Sequence, residues 1–436
     1  MAYVKKLSEG KTKIIWEVED EKYVEIQSKD DLTAGNGKKK SGFGGKGVIS
    51  NKTTCNVFEF LADCGVKTHY VEQVNDDSFR AIRCKMIPLE VIARRKADGS
   101  YLERHPDVEK GAISPRLKAE FFWKNDAGHD PLIRISKENK HPYYPNSYYP
   151  DIPPDKREYC HLYYAHQPHQ FIKTIDSVCS LENFQQMENL VRFTFLLLEK
   201  AWKNLGVDLW DLKLEFGYNA ENYKLLLADV IDNDSWRITK DGVQLDKQIF
   251  RDGNTPMDEI ARRYELVKNL TFHFREMVNR KNNVYYPEIV ALYGSDKSEK
   301  DKKFVYKIKD NLLRYNWTNY KSIQASAHKE TLKLLKIISE ESHKNFNPIF
   351  ICVAGLQNEL APVVAAHTTA PVISCSPTVE NFPNDIWSNV RLPNGVSAGF
   401  VWTPEQAALQ ALKIISQVNP LVYAKLQTEV EDRFDT

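Results

Sequence analysis

The periodicity of apolar residues changes part-way along this chain, and the change limits the folds open to it. Up to about Leu89, short runs alternate between polar and apolar residues, as half-buried strands do. After about residue 284, the apolar runs "EIVALYG", "IFICVAG" and "APVISC" each end in small or polar residues, and charged helical segments separate them. Strands that alternate with helices form a parallel sheet. We therefore predict an α+β N-terminal part with antiparallel sheets and a doubly wound α/β C-terminal part.

Composition narrows the class of protein. A chain of 436 residues is long enough for two or three domains. Its 60 basic and 59 acidic residues leave a net charge of +1, which argues against a nucleic-acid binder that relies on broad electrostatic attraction. No apolar stretch approaches the length of a membrane span, and the first residues lack the apolar core of a signal peptide. The seven cysteines include no C-x-x-C pair, so we expect reduced thiols in a cytoplasmic protein without membrane attachment.

The string "KNDAGHDP", at 124–131, combines groups suited to phosphate and to a divalent metal. Lys124 offers a compact positive charge for phosphate oxygens, and the carboxylates of Asp126 and Asp130 are hard oxygen ligands for magnesium. The same string also fits a solvated turn before a proline. The pattern by itself does not decide between these interpretations.

Two glycine-containing strings near the start also suit phosphates. In "EGKTK", at 9–13, Lys11 and Lys13 are two residues apart, so on a strand both would face the same side. The string is not a P-loop, because the first glycine of that motif is missing. The string "GFGGKG", at 42–47, follows a polar run rather than an apolar strand, so it fits either a loop over phosphates or a plain turn.

Two further strings predict a hairpin that carries acidic groups. In "WDLKLEFG" the alternation puts Asp211, Lys213 and Glu215 on one face of a strand. A second run, 223–230, would pair with 212–216 as the other strand of the hairpin and bring Asp229 near Glu215. Two acidic groups at that range favour a cation between them, although a solvent-exposed face with salt bridges is the alternative.

Four longer segments complete the prediction of local structure. A helix is expected over 47–64, and a core helix over Leu181–Asn204, where apolar residues recur at helical spacing. Lys247 and Arg251, four residues apart, fit a helical start that faces an anion. The segment 138–170 is rich in proline, tyrosine and histidine and lacks either periodicity, which predicts a surface loop. A helix over 255–283 would connect the two parts of the chain.

A family resemblance emerges when the strings are taken together. The first part contains, in order, "EGKTK", "SKDDLTAGN", "MIPLEVIARR", "DGSYLER", "KNDAGHDP", "KLEFG", "ADVIDNDSWR" and "DKQIFRD", and so resembles phosphoribosylaminoimidazole-succinocarboxamide (SAICAR) synthetase. The second part contains "YGSD", "SAHK", "FICVAG", "PVISC" and "DIWSNVRLPNG", and is similar to the phosphoribosylaminoimidazole (AIR) carboxylase domain of the bifunctional animal enzymes. The resemblance implies a synthetase domain over 1–254 with an insertion at 138–170, a linker helix over 255–283, and a carboxylase-like domain over 284–436.

The resemblance also implies an activity and its substrates. ATP would phosphorylate the carboxylate of carboxyaminoimidazole ribonucleotide, and the amine of aspartate would then displace phosphate to give an amide. The second domain would add carbon dioxide to aminoimidazole ribonucleotide. ATP and Mg²⁺ are the expected cofactors, the partners are these small molecules, and a homo-octamer is the expected assembly.

Site residues follow from the matched motifs of the synthetase. The residues expected at ATP are Lys11, Lys13, Lys124 and, at the adenine, Met86. Those expected to hold magnesium are Asp130, Glu215 and Asp229. Those expected at the ribonucleotide phosphate are Arg94, Ser100 and Arg237. Those expected at the reacting carboxylates are Lys213, Lys247 and Arg251.

The carboxylase part matches its family in some loops and departs from it in others. The matching positions are Gly294, Ser295, Ser326, His328 and Lys329, of which Ser295 and Ser326 would bind the ribonucleotide and His328 and Lys329 would act in catalysis.

The departures lie in two loops, 294–301 and 354–362. The first reads "GSDKSEKD" and is a few residues longer than in the family, and in the second, "AGLQNELAP", Leu356 replaces an arginine and Glu359 and Ala361 replace glycines of the animal enzymes. They remove an anion partner and add side chains where the backbone needs room. We therefore weigh a working carboxylase against a synthetase whose degenerate second domain serves as an oligomerisation core. Two other classes are an inactive scaffold or ligand sensor, and a different ATP-dependent ligase or small-molecule kinase.

Overall fold

Two compact units make up the chain. The computed structural model describes residues 4–34, 39–124, 130, 132–134, 161–164, 167–174, 181–279, 284–294, 298–344, 347–356 and 358–435. One unit consists of Met1–Arg275 with Gln427–Thr436, and the other of Glu276–Leu426. The first unit thus extends beyond the boundary expected at 254 and also takes up the last residues of the chain.

The first unit combines antiparallel sheets with helices. Its strands are β1 Lys5–Glu9, β2 Lys13–Glu17, β3 Tyr23–Ser28, β4 Asp31–Ala34, β5 Lys39–Gly42, β6 Tyr70–Gln73, β7 Ser78–Ile82, β8 Cys84–Lys96, β9 Ile113–Trp123, β10 Leu132–Arg134, β11 His161–Tyr164, β12 Gln167–Thr174, β13 Val207–Asn219, β14 Leu225–Ala228, β15 Trp236–Lys240 and β16 Val243–Gln244. Its helices are α1 Lys46–Asp63, α2 Ser100–Arg104, α3 Leu181–Asn204, α4 Gln248–Asp252 and α5 Met257–Phe272.

Two antiparallel sheets dominate the described part of this unit. The smaller has the order β1-β2-β3-β7-β6, and the larger has the order β12-β11-β10-β9-β8-β13-β15-β16, with β14 paired to β13. Strand β13 shows how alternation builds the larger sheet. Its apolar residues Leu212, Leu214 and Phe216 are buried on one face, so its polar residues Asp211, Lys213 and Glu215 lie on the other. The antiparallel sheets and the predicted hairpin of β13 with β14 are confirmed.

Helix α3 forms the core of this unit, as its spacing predicts. Val191, Phe195, Leu198 and Trp202 are fully buried at intervals of three and four residues, and α3 packs against β13. The indole of Trp202 meets that of Trp236 edge-on, with ring centroids 5.3 Å apart. Helix α1 also lies within a residue of its predicted bounds.

Two predictions about segments need correction. The interpretation of 138–170 as a loop is wrong for its last part, because β11 and the beginning of β12 lie there and extend the large sheet from β10. Residues 138–160, 165 and 166 of this segment lie outside the described residues. The predicted helix over 255–283 is shorter than expected, since α5 ends at Phe272 and belongs to the first unit.

The second unit is a doubly wound α/β domain. Its strands are β17 Ile289–Tyr293, β18 Tyr320–Gln324, β19 Ile349–Val353, β20 Val372–Cys375 and β21 Gly399–Val401. Its helices are α6 Glu299–Arg314, α7 Thr331–Lys344, α8 Leu360–Ala366, α9 Trp387–Val390 and α10 Pro404–Ile415. The last helix, α11 Pro420–Asp432, begins in this unit, and its residues from Gln427 onward belong to the first unit. The sheet has the order β18-β17-β19-β20-β21 with all pairings parallel, as predicted.

Both faces of this parallel sheet are buried. Along β17, Ile289 and Ala291 belong to one hydrophobic cluster, whereas Val290 and Leu292 belong to another. The continuous apolar run of this strand follows from burial on both faces. Among the described helices of the whole chain, none is long and apolar enough to cross a membrane.

Candidate active site

A cavity of about 420 Å³ in the first unit collects most of the residues predicted for the synthetase. The predicted residues that line it are Lys11, Lys13, Arg94, Ser100, Lys213, Glu215, Asp229, Arg237, Lys247 and Arg251. Sequence reasoning gave no role to Glu90, Asp211 and Asp234, which also line it. Strands β8, β13 and β15 therefore bring together residues that are far apart in the chain.

A row of three charged side chains crosses those strands. Asp211 on β13 is opposite Arg94 on β8 and opposite Arg237 on β15. Its Oδ2 accepts a hydrogen bond from Arg94 Nη1 at 2.9 Å and another from Arg237. One buried carboxylate thus holds two guanidinium groups side by side, an arrangement that suits a dianionic phosphate.

Arg94 has further partners that fix its orientation. Its Nε donates to Glu120 Oε2 at 2.6 Å, and its Nη2 donates to Ser100 Oγ at 3.2 Å. Burial alone would lower the pKa of Arg94, but the charges of Glu120 and Asp211 raise it overall. Burial likewise opposes ionisation of Glu120, yet Arg94 and Arg104 lower its pKa to about 2. Both groups therefore remain charged at neutral pH.

Gly99 is required beside this cluster. It has a φ of 56°, a conformation that side chains rarely adopt, and a Cβ there would collide with the guanidinium of Arg237. The glycine of the string "DGSYLER" thus allows the backbone before Ser100 to approach Arg237 closely.

A second group of charges lies further along β8 and β13. Lys213 Nζ is 3.0 Å from Glu90 Oε1 and 3.6 Å from Glu215 Oε1. Lys124 Nζ is 2.9 Å from Glu215 Oε2. Burial tends to raise the pKa of Glu215, but Lys213, Lys124 and Lys13 together lower it. Glu215 is consequently an ionised oxygen donor within the cavity.

Asp229 forms the neighbouring acidic group and pairs with Lys13. It follows β14 in a left-handed conformation, with a φ of 66°. The Nε2 of buried His69 donates to the backbone carbonyl of Asp229 at 2.8 Å. Burial, and then the charge of Lys13, lower the pKa of His69 to about 3, so the imidazole is neutral. His69 is thus a support of the site that sequence reasoning missed, since an isolated histidine in a short strand-like run gives no signal.

The start of α4 supplies the other cationic side chains. Lys247 Nζ donates to Asp234 Oδ2 at 2.7 Å, and Arg251 lies on the cavity wall one turn later. The buried carboxylate of Asp246 accepts hydrogen bonds from the backbone N–H groups of Ile238 at 2.9 Å and Gln248 at 2.7 Å. Asp246 therefore ties α4 to β15. The predicted helical start at Lys247 is confirmed.

Three predicted residues occupy places other than those expected. Lys11 and Lys13 do not share a strand, because β1 ends at Glu9 and Lys11 lies in the turn before β2. Both nevertheless line the cavity, together with Thr12 between them. Met86 is 43% exposed and lies opposite Gly217 on β13, outside the cavity lining.

The predicted magnesium ligands are only partly assembled. Glu215 and Asp229 line the same cavity, whereas Asp130, with a φ of 47°, is not among the lining residues. Within the described part of the chain, no three histidine, cysteine or acidic side chains are grouped as metal ligands. Asp126 and His129 lie outside the described residues. The role of Asp130 stays a prediction.

In the second unit, the predicted residues lie at the carboxyl ends of parallel strands. Gly294 directly follows β17, and Ser326 lies two residues after the end of β18. His328 and Lys329 come next in the chain, and their side chains are exposed. Ser326 Oγ accepts from the N–H of Lys329 at 3.3 Å, and Glu330 accepts from the N–H of Ser326 at 3.2 Å. Ser295 lies outside the described residues. These strand ends are where ligands bind in doubly wound sheets.

Comparison with known proteins identifies both parts. The family model of SAICAR synthetase matches residues 6–141 and 167–265, more than half of the chain. The chain belongs to the SAICAR synthetase family. The model of AIR carboxylase matches residues 289–435 in addition. The SAICAR synthetase match skips 142–166, within the segment interpreted as an insertion.

Animal relatives match this chain over nearly its whole length. The "probable multifunctional protein ADE2" of Caenorhabditis elegans is 35% identical over 97% of this chain and 92% of its own length. The human bifunctional phosphoribosylaminoimidazole carboxylase/phosphoribosylaminoimidazole succinocarboxamide synthetase is 33% identical over 98% of this chain and 93% of its own. A crystal structure of the synthase from Ehrlichia chaffeensis is 25% identical, covers 61% of this chain and 98% of that protein, and aligns with a TM-score of 0.49.

The altered carboxylase loop is less disturbed than its sequence suggests. Glu359 precedes α8 with a φ of −79°, and Ala361 lies inside that helix, so neither position requires glycine. Leu356 does adopt a left-handed conformation, with a φ of 56°, and its side chain is 61% exposed. Its N–H donates to Thr378 Oγ1 at 2.9 Å. Glycine is therefore not needed for the backbone conformation at either position, and the effect of the two side chains on a bound ligand stays a prediction.

Proposed function

We propose that the first unit is a ligase that forms the amide bond between aspartate and carboxyaminoimidazole ribonucleotide, with conversion of ATP to ADP and phosphate. The second unit is proposed to be a lyase that reversibly carboxylates aminoimidazole ribonucleotide. The observation that carries the ligase proposal is the cavity, which is lined by the Arg94–Asp211–Arg237 row together with Lys13, Lys213, Glu215 and Asp229. Membership of the family supplies the reaction class for this geometry.

The ribonucleotide phosphate is proposed to bind at the arginine end of the cavity. Arg94 and Arg237 offer guanidinium N–H groups, and Ser100 offers a hydroxyl beside them. Glu120 and Asp211 hold these cations in place before the ligand arrives, so little rearrangement is needed on binding.

ATP is proposed to bind with its phosphates near Lys11, Lys13 and Lys124. The residues fit magnesium as well, because Glu215 and Asp229 are hard oxygen donors, and magnesium is usually held by one or two carboxylates together with substrate phosphates. Magnesium, when bound, neutralises phosphate charge and so lets an anionic nucleophile approach. Asp130 and Met86 keep their predicted roles at the metal and the adenine.

The reaction then proceeds in two steps. The substrate carboxylate attacks the γ-phosphorus of ATP, and ADP leaves with the electron pair of the broken P–O bond. The amine of aspartate attacks the acyl phosphate, phosphate leaves, and the amine nitrogen loses a proton. Lys213, Lys247 and Arg251 line the cavity, where Lys213 pairs with Glu90 and Lys247 with Asp234. The three residues are proposed to orient the reacting carboxylates and stabilise the oxyanion.

A coupled assay on the purified protein tests both activities. The protein is given ATP, magnesium and aspartate with carboxyaminoimidazole ribonucleotide, and ADP and SAICAR are measured. ATP turnover that requires both aspartate and the ribonucleotide supports the ligase. ATP turnover with another acceptor would favour a different ligase or kinase, and absence of turnover would favour a scaffold or sensor.

The carboxylase is tested by starting from aminoimidazole ribonucleotide and bicarbonate. SAICAR formed from this starting point supports two working domains in one chain. Product formed only from the carboxylated compound would favour a synthetase with a degenerate second domain that serves as an oligomerisation core. A homo-octamer in the cytoplasm is part of the proposal, and light scattering of the purified protein measures the mass of the assembly.

A further inference from the structure

The carboxylate of Glu431 is completely buried, although it lies near the end of the chain and far in sequence from the synthetase motifs. It belongs to the last turn of α11, within the terminal residues that are part of the first unit. A buried charge persists only where its surroundings supply strong partners. The hydrogen-bond partners of Glu431 show which parts of the sheet it connects.

Both oxygens of Glu431 are bound to the framework of the large sheet. Oε1 lies 2.6 Å from Arg95 Nη2 on β8, and Oε2 accepts the backbone N–H of Leu117 on β9 at 2.9 Å. Gln427, one turn earlier on α11, donates to Oε1 at 3.1 Å, and Arg192 of α3 is 3.7 Å from Oε2. The carboxylate thus joins two adjacent strands at one point.

These two strands carry the residues that orient Arg94. Arg95 immediately follows Arg94, so the two side chains leave β8 on opposite faces, one towards Glu431 and the other towards the cavity. On β9, Leu117 is three residues before Glu120, which receives the Nε of Arg94 at 2.6 Å. Glu431 therefore fixes, from behind the sheet, the relative placement of Arg94 and its carboxylate partner.

We propose that Glu431 is a positioning residue for the ribonucleotide-phosphate end of the synthetase site. The proposal rests on the proposed ligase function. In Glu431→Gln one oxygen acceptor becomes an NH2 donor. Either Arg95 then loses this partner, keeping Glu199 and the carbonyls of Ser114 and Pro115, or the N–H of Leu117 is buried against another donor. Strands β8 and β9 would shift there, and a small displacement of a binding group has a large effect on substrate alignment.

The test compares Glu431→Gln with the parent chain. We expect the KM for carboxyaminoimidazole ribonucleotide to rise roughly tenfold, while the KM for ATP changes less than about twofold, because the lysines proposed for ATP are not in contact with Glu431. Calorimetric binding of the ribonucleotide should weaken by the same factor. Binding does not require turnover, so a failed ligase assay on the parent chain would refute the proposed function without deciding the role of Glu431.

The matched control is Asp432→Asn on the next residue of the helix. Asp432 is half-exposed and pairs with Arg192 of α3 at 2.9 Å, so its loss loosens the same helix end while the bonds of Glu431 to β8 and β9 stay in place. We expect unchanged ribonucleotide affinity in this variant. Equal affinity in Glu431→Gln and the parent chain, or an equal loss in both variants, would overturn the proposal.

A second variant guards against failure of Glu431→Gln to fold. Arg95→Lys keeps a positive charge but loses the fork that joins Glu199 and Glu431. It should raise the KM for the ribonucleotide in the same direction. Unaltered ribonucleotide affinity in Arg95→Lys would contradict the proposed path from Glu431 to Arg94.

Discussion

Lys124 Nζ lies 2.9 Å from Oε2 of Glu215, so the carboxylate proposed to bind magnesium forms an ion pair with a lysine. Lys13 pairs with Asp229 in the same way. Two of the three proposed metal ligands, Glu215 and Asp229, are thus each paired with a lysine proposed to bind ATP phosphates. When ATP and magnesium bind, the lysine of each pair would face a phosphate and the carboxylate would face the metal ion. No buried charge would then be left without a counter-ion.

Glu215→Gln should reduce the ligase kcat by about a hundredfold or more, because a neutral amide is a poor magnesium ligand. Initial rates over a range of magnesium concentrations measure the effect. Glu221→Gln is the control, since Glu221 forms an exposed pair with Lys22 at 3.1 Å. A near-normal rate at limiting magnesium in Glu215→Gln would refute the assignment.

His69→Phe removes the hydrogen bond to the carbonyl of Asp229 and should destabilise the first unit by about 1–3 kcal/mol. The left-handed conformation of Asp229 would lose its support, so the KM for ATP should also rise several-fold. Denaturant unfolding and ATP kinetics are the measurements. His367→Phe is the control, because the Nδ1 of His367 makes a similar contact at 2.8 Å to a carbonyl, but in an exposed position. Equal effects of the two substitutions on the KM for ATP would contradict the role given to His69.

Stability should fall in acid because of Glu120. Its pKa is lowered from 4.5 to about 2 in the folded chain, so its stabilising contribution is complete above about pH 4.5 and is lost as the pH falls towards 2. Glu120→Gln should lower stability at pH 7 and flatten the decline of the unfolding midpoint below pH 4.5. Urea unfolding from pH 7 to pH 3 measures this. A decline parallel to that of the parent chain would assign the acid sensitivity to other groups.

Leu356→Arg restores the arginine of the animal carboxylases and tests whether its loss limits the second unit. The exposed position next to the N–H contact with Thr378 has room for the longer side chain. We expect a KM for aminoimidazole ribonucleotide several-fold lower, because a cation is restored near an anionic ligand. Leu356→Met, which adds no charge, is the control. If the carboxylation kinetics of Leu356→Arg match those of the parent chain, the altered loop does not limit the reaction.

The periodicity of the sequence predicted the strands and helices more completely than it predicted which of them lie side by side. The alternation in β13 placed Asp211, Lys213 and Glu215 on one face, and the spacing in α3 placed its core residues. The row formed with Arg94 and Arg237 depends on strand register, which is set by pairing over long sequence distances rather than by local pattern.

Each wrong or missing prediction has a physical cause. Lys11 and Lys13 were placed on one strand because a two-residue spacing fits a strand, but the hairpin turn begins at that point. The aromatic and proline-rich composition of 138–170 concealed β11, because paired strands can form without clear alternation. Nothing in the sequence near Glu431 indicated a contact with Arg95, since such contacts arise only when distant segments pack.

The discontinuous composition of the first unit has a consequence for how the chain is made. Residues 427–436 complete that unit, yet the ribosome produces them only after the whole of Glu276–Leu426. At a synthesis rate of roughly 5–20 residues per second, the nascent synthetase half therefore waits on the order of ten seconds for its final helical turn. During this interval Arg95 and the N–H of Leu117 lack the carboxylate of Glu431 as a partner.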